Sequence, residues 1–210
     1  MKNIDPKCKQ CRRIGEKLFF KGERCTSPKC AITRRNYIPG FHGPKQKGAP
    51  RRSDYGSQLV EKQKAKKQYL LNEKQFRILF DHAAKKRGNT EELLLQLLEL
   101  RLDNVVYRAG LGASRNEARQ LVNHGHFTVN GKPVNIPSYK VKEGDVIKLK
   151  ARSQRSKKFA NLEAKLKKTQ TPGWLHLDAA EMSVKVLHEP AAKDLRVNFS
   201  PQVIVEFYSR

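Results

Sequence analysis

The sequence predicts an α+β protein: a loop-rich N-terminal arm clipped by a metal, a helical lobe, and a module of two helices followed by a small antiparallel sheet. Three observations predict it. Four cysteines fall early in the chain as C-x2-C-x13-C-x4-C, at Cys8, Cys11, Cys25 and Cys30. Apolar residues then recur at helical spacing as far as Val122. Beyond them the pattern turns to alternation around Asn130-Gly131, a type I′ hairpin signal.

Two close cysteine pairs separated by a short loop suit one tetrahedral, structural Zn²⁺. Surrounding Lys and Arg favour the thiolates that a metal needs. Two disulfides are the alternative, but the N-terminus "MKNIDPKCKQC" lacks the apolar core of a signal peptide, so a reducing, cytoplasmic setting is expected. Four thiolates would leave no open position for catalysis.

From Arg34 to Ser53, Gly and Pro punctuate an extended basic loop. Residues 54–71 read as a helix. Asn72 is an N-cap for a second, with Phe76, Leu79 and Phe80 on its core face and Gly88 after it. Thr90 opens a longer helix, predicted to run to Ala109, with Leu94, Leu97, Leu98, Leu102, Val105 and Val106 as its buried stripe. After "GLG" at 110–112, Ser114-x-x-Glu117 is a capping box for a helix that Gly125 ends. Strands are expected at "HFTV" and "KPVNI", and as a short pair around the Glu143-Gly144-Asp145 turn. Residues 153–170 read as a basic amphipathic helix. "SVKVLHEP" and "PQVIVEFYSR" read as extended segments. The expected divisions are an arm at 1–52, a helical lobe at 53–89, a helix-helix-sheet module at 90–152, and a segment at 153–210 whose strands pack back on the lobe.

Charge narrows the function. Lys and Arg number 44 and Asp and Glu 20, a net charge of +24. Residues 1–52 hold 15 basic and three acidic side chains, half of that excess. A chain this basic is expected to meet a polyanion, because its cations displace the counterions condensed on phosphates. A membrane is not expected, since no apolar run is long enough to span one.

Residues 118–132, "ARQLVNHGHFTVNGK", place cations on a compact scaffold. Arg115 and Arg119 are four apart and share one helix face, expected to be exposed. Ala118, Leu121 and Val122 anchor the other. His124 and His126 flank the turn into the strand, and Lys132 and Lys140 extend the basic surface onto the sheet. Such a surface reads RNA shape and backbone better than base sequence. A metal at His124-x-His126 would lack a third ligand nearby.

The stretch "RLDNVVYRAGLGASRNEARQLVNHGHFTVNGKPVNIPSYKVKEGD", residues 101–145, closely resembles the RNA-binding module of the small ribosomal subunit protein four family. "KGERCTSPKC", "PGFHG", "RRSDYG", "EKQ" and the terminal "VIVEFYSR" extend the resemblance to its bacterial form along essentially the whole chain. It implies a structural protein that binds small-subunit ribosomal RNA at a junction in its 5′ domain, nucleates assembly of the subunit body and influences decoding accuracy. It also implies zinc at the four cysteines, contact with small-subunit protein five, and a functional link to protein twelve. Basic loop residues near the messenger entry path are implied too, here Lys45, Lys47, Arg51 and Arg52. The expected RNA contacts are these four with Arg108, Arg115, Arg119, His124, Lys132 and Lys140. No homo-oligomer is expected. An RNA-modifying enzyme with the same module is the main alternative, but no catalytic constellation stands in the flanks. A zinc-dependent duplex-DNA regulator would need a recognition helix that the arm lacks.

Overall fold

The computed structural model describes residues 6–43, 52–191, 194 and 197–209. In chain order the first helices are α1 (Lys7–Ile14), α2 (Glu23–Thr26), α3 (Ala31–Arg34), α4 (Asp54–Gln68) and α5 (Glu73–Lys85). Next come α6 (Thr90–Glu99), α7 (Leu102–Arg108) and α8 (Arg115–Asn123), then β1 (Phe127–Val129), β2 (Lys132–Pro133) and β3 (Val146–Leu149). The chain closes with α9 (Ala151–Gln154), a 3-10 turn at Lys157–Phe159, α10 (Leu162–Leu166), β4 (Leu175–Asp178), β5 (Ser183–Val186) and α11 (Pro201–Tyr208). It divides into two compact units, residues 1–91 with 197–210, and residues 92–196. Among the described residues no helix is long and apolar enough to cross a membrane.

The first unit is helical. Ser53 starts α4 by accepting from the Gly56 N–H at 3.2 Å. Asn72 starts α5 through a full capping box with Gln75, which satisfies donors that the first turn leaves unpaired. The C-terminal "PQVIVEFY", read above as extended, is instead the helix α11, with Pro201 in its first turn. Its β-branched residues suit a strand, but packing decides. α11 lies on α4, Ile204 is buried, and the Tyr208 ring stacks on Phe80 at 4.7 Å. Tyr208 donates to Glu73 at 2.8 Å, and buried Lys62 binds the same carboxylate at 2.8 Å.

The zinc expectation is overturned. Among the described residues, which include Cys8, Cys11, Cys25 and Cys30, no three His, Cys, Asp or Glu side chains are grouped to hold a metal ion. All four cysteines are free thiols. The arm is organised by a small apolar cluster of Cys11, Leu18, Phe20 and Leu70, flanked by Ile14 and Ile32. Burial pushes the Cys11 thiol above its ordinary value, and the charges of Cys25, Cys8 and Cys30 add to that rise. For Cys11 this favours the protonated thiol over the thiolate that metal ligation requires; at Cys30 burial works the same way, but the Ile32 and Thr33 backbone and the Lys17 charge outweigh it and hold the thiol below its ordinary value. The Cys25 sulfur accepts from the Lys21 N–H at 3.4 Å. Spacing, a reducing setting and the family resemblance all pointed to a metal clip, but among the described residues the cysteines are not grouped as one.

The second unit carries the sheet, antiparallel throughout, in the order β2-β1-β3-β5-β4. Asn130 and Gly131 take φ of 50° and 78°, both positive, as the type I′ hairpin requires. Phe127, Val129, Ile147, Leu149, Val184 and Val186 bury one face against Leu121, Val122 and Trp174. Three expectations change here. The long helix breaks after Glu99, because the Leu102 and Asp103 N–H groups turn to the Tyr139 and Pro137 carbonyls at 2.9 and 3.1 Å. The expected strand pair around Gly144 is only β3, with Arg101 and Lys140 forming an isolated bridge. The basic helix of 153–170 is three short pieces, whose Phe159, Leu162 and Leu166 join the core. β5 pairs with β3 in this sheet.

Candidate nucleic-acid interface

α8 is held at both ends. Ser114 accepts from the Glu117 N–H at 3.3 Å, while the Glu117 carboxylate takes the Ala113 N–H at 3.0 Å. A Cβ on Gly112 would stand 3.0 Å from the backbone of Ala118, so only glycine lets the loop lie this close to α8. Gly125, at φ +70°, turns the chain out of α8 and into β1.

Two buried carboxylates organise the arginines. Glu99, whose side chain is 2% exposed, accepts from Arg108 Nε at 2.9 Å and Nη2 at 2.7 Å, a forked pair. It also accepts from Asn104 at 2.7 Å, and Asn104 accepts in turn from Arg115 at 2.9 Å. Arg115 is buried over the Tyr107 ring, 4.5 Å from its centroid. Asp103 accepts from Arg101 at 3.2 and 3.0 Å, and from Arg119 at 2.8 Å. Each carboxylate thus ties the α6–α7 junction to cations that follow it.

The structure therefore divides the expected contacts. Arg108, Arg115 and Arg119 come together, but inside an ion-paired network; the face of Arg119 is half-buried rather than open. His124, Lys132 and Lys140 are exposed and make no ion pair among the described residues. Arg52 is exposed just before α4. Lys45, Lys47 and Arg51 lie outside the described residues.

Sequence reasoning passed over one cluster. His126 Nδ1 lies 2.9 Å from Ser153 Oγ, and its ring meets Phe159 edge-on at 5.5 Å. The His124 ring is 6.1 Å away. Lys150 stands over Gly125, where an added Cβ would be 3.7 Å from its Nζ. Lys158 approaches Glu117 at 3.4 Å. Burial, then the charges of His124, Lys158 and Lys150, hold the His126 imidazole below its ordinary value. His124-x-His126 was visible in the sequence; Lys150 and Lys158 arrive only through the β1–β3 pairing and the 3-10 turn.

Comparison with known proteins decides the family. Residues 2–99 match the Ribosomal protein S4/S9 N-terminal domain, and residues 100–147 match the S4 domain. Small ribosomal subunit protein uS4 of Acetivibrio thermocellus is 56% identical over 203 residues, covering 97% of this chain and 96% of that protein. This chain belongs to the uS4 family. The uS4 of Thermus thermophilus is 51% identical over 208 residues, spanning 99% of this chain and 98% of its own. That of Nitrosospira multiformis is 48% identical over 212 residues, with 100% and 99% covered. The uS4 family consists of structural ribosomal proteins and not enzymes, which removes the RNA-modifying alternative. In uS4 terms, α7, α8, β1, β2 and the start of β3 fall within the matched S4 domain, while Lys150 and Lys158 lie just beyond it.

Proposed function

We infer that this chain is a structural, ribosomal RNA-binding component of the small ribosomal subunit, working in the cytoplasm. The observation that carries this reading is its end-to-end membership of the uS4 family, with 56% identity to a relative that covers 97% of the chain. The charge supports it: +24 on 210 residues is a polyanion-binding balance. So does the S4 domain, where exposed His124, Lys132 and Lys140 stand on a scaffold that the Glu99 and Asp103 networks hold rigid.

The finer reading is that the protein docks on a junction in the 5′ domain of the small-subunit RNA, nucleates assembly of the subunit body and contributes to decoding accuracy. Within it, Lys132, Lys140 and His124 meet phosphates directly, and Arg108, Arg115 and Arg119 hold the surface in shape. Arg52 with Lys45, Lys47 and Arg51 serves the messenger path. Small-subunit protein five is the neighbour and protein twelve the functional counterpart. The resemblance in the arm, the module and the terminal segment supports these assignments. The test is a hydroxyl-radical footprint on full-length small-subunit RNA. Protection confined to the 5′ domain is the expected result; protection scattered across the RNA would overturn the docking site.

A further inference from the structure

We propose that His124, His126, Lys150 and Lys158 form a phosphodiester-binding subsite whose occupation by RNA is coupled to uptake of a proton by the His126 imidazole. This rests on the RNA-binding reading above and adds both a set of residues and a pH dependence to it.

Three elements bring these groups together. His124 caps α8, and His126 follows it across Gly125. Lys150 precedes α9, its N–H bonded to the His126 carbonyl at 2.9 Å. Lys158 lies in the 3-10 turn that also places Phe159 against the His126 ring. The nearby carboxylate, Glu117, already has Lys158 at 3.4 Å and the Ala113 N–H at 3.0 Å. The cluster is therefore rich in cations, and in the free protein they disfavour a proton on His126.

A phosphodiester reverses that field. One negative charge among Lys150, Lys158 and His124 offsets their repulsion and raises the affinity of His126 for a proton. The hydrogen bond at Nδ1 survives the change. Ser153 Oγ, 2.9 Å away, donates to a neutral imidazole and accepts from a protonated one. Among the described residues Nε2 has no internal partner, so it is available to donate to phosphate oxygen. By linkage, a ligand that raises a pKa binds more tightly as pH falls through the interval between the free and bound values.

The experiment uses the full chain and a transcript of the small-subunit RNA 5′ domain, with unrelated RNA of equal length as control. The His126 ring is followed by NMR in free and bound protein, and affinity is measured at pH 6 and pH 8 at constant salt. The expected result is an upward shift of the His126 titration on binding, and affinity that is several-fold higher at pH 6. H126Q narrows that pH gain, and K150Q lowers the slope of log affinity against log salt by about one. An unchanged His126 titration in the complex overturns the subsite, as does an equal pH gain in a folded H126Q variant. Equal affinity for the two RNAs, with the His126 shift intact, would instead overturn the ribosomal reading and leave a phosphate site without specificity.

Discussion

At the scale of the residue, Glu99 and Asp103 offset the arginines that the module gathers in its interior. Asp103 has a 6% exposed side chain and binds both Arg101 and Arg119. Asp103→Ala leaves these cations without their shared anion, and removal of one member of such a network costs about 3 kcal/mol. Urea unfolding should show that loss, whereas Lys132→Ala, at an exposed site, stays within about 0.5 kcal/mol of the parent. Arg119→Glu is expected to destabilise the fold by facing Asp103 with a like charge, an outcome opposite to that of an open surface arginine. The sequence made some residues legible: the Asn72 and Ser114 caps and the Asn130-Gly131 turn depend on local chemistry. The arginine pairings were not legible. Asp103 meets Arg119 and Glu99 meets Arg108 only after the chain has folded back on itself.

At the scale of the element, propensity was a good guide where helices face one core and a poor one where tertiary contacts compete. α5 and α8 follow their apolar spacing. The α6–α7 break answers instead to carbonyls of the loop at 137–139, and α11 answers to the aromatic face of α5 and to α4. The cysteine spacing misled for a related reason: the burial of Cys11 in an apolar cluster does not show in a spacing pattern. Gly112→Ala sets a Cβ 3.0 Å from the Ala118 backbone, which cannot yield as a side chain would. It should cost about 1–3 kcal/mol in unfolding experiments, with weaker RNA binding as α8 shifts.

Glu73 clasps α11 through Tyr208. Burial works against the charged form of Glu73, but Lys62, Lys66 and Tyr208 outweigh it and hold the carboxyl down to about 2. A carboxyl depressed in the folded state stabilises above its unfolded pKa and loses that contribution as pH falls toward the folded value. NMR signals of α11 should therefore report loosening between about pH 4.5 and pH 2. Glu73→Gln should remove that acid transition.

At the scale of the whole molecule, the outstanding fact is the +24 charge. Charge alone gives affinity for any polyanion and loses it steeply with salt. Specific recognition needs the rigid part: an α8 fixed by its cap, by Gly112 and by two buried carboxylates, beside a sheet whose turn is set by Asn130-Gly131. The proposed function requires that this protein reads the shape of ribosomal RNA and not merely its charge. The most direct measurement is the affinity for a 5′-domain transcript, for unrelated RNA of equal length and for duplex DNA, across a salt series. A preference for the transcript that persists as salt rises is the predicted result. Three affinities that collapse together with salt would contradict the claim.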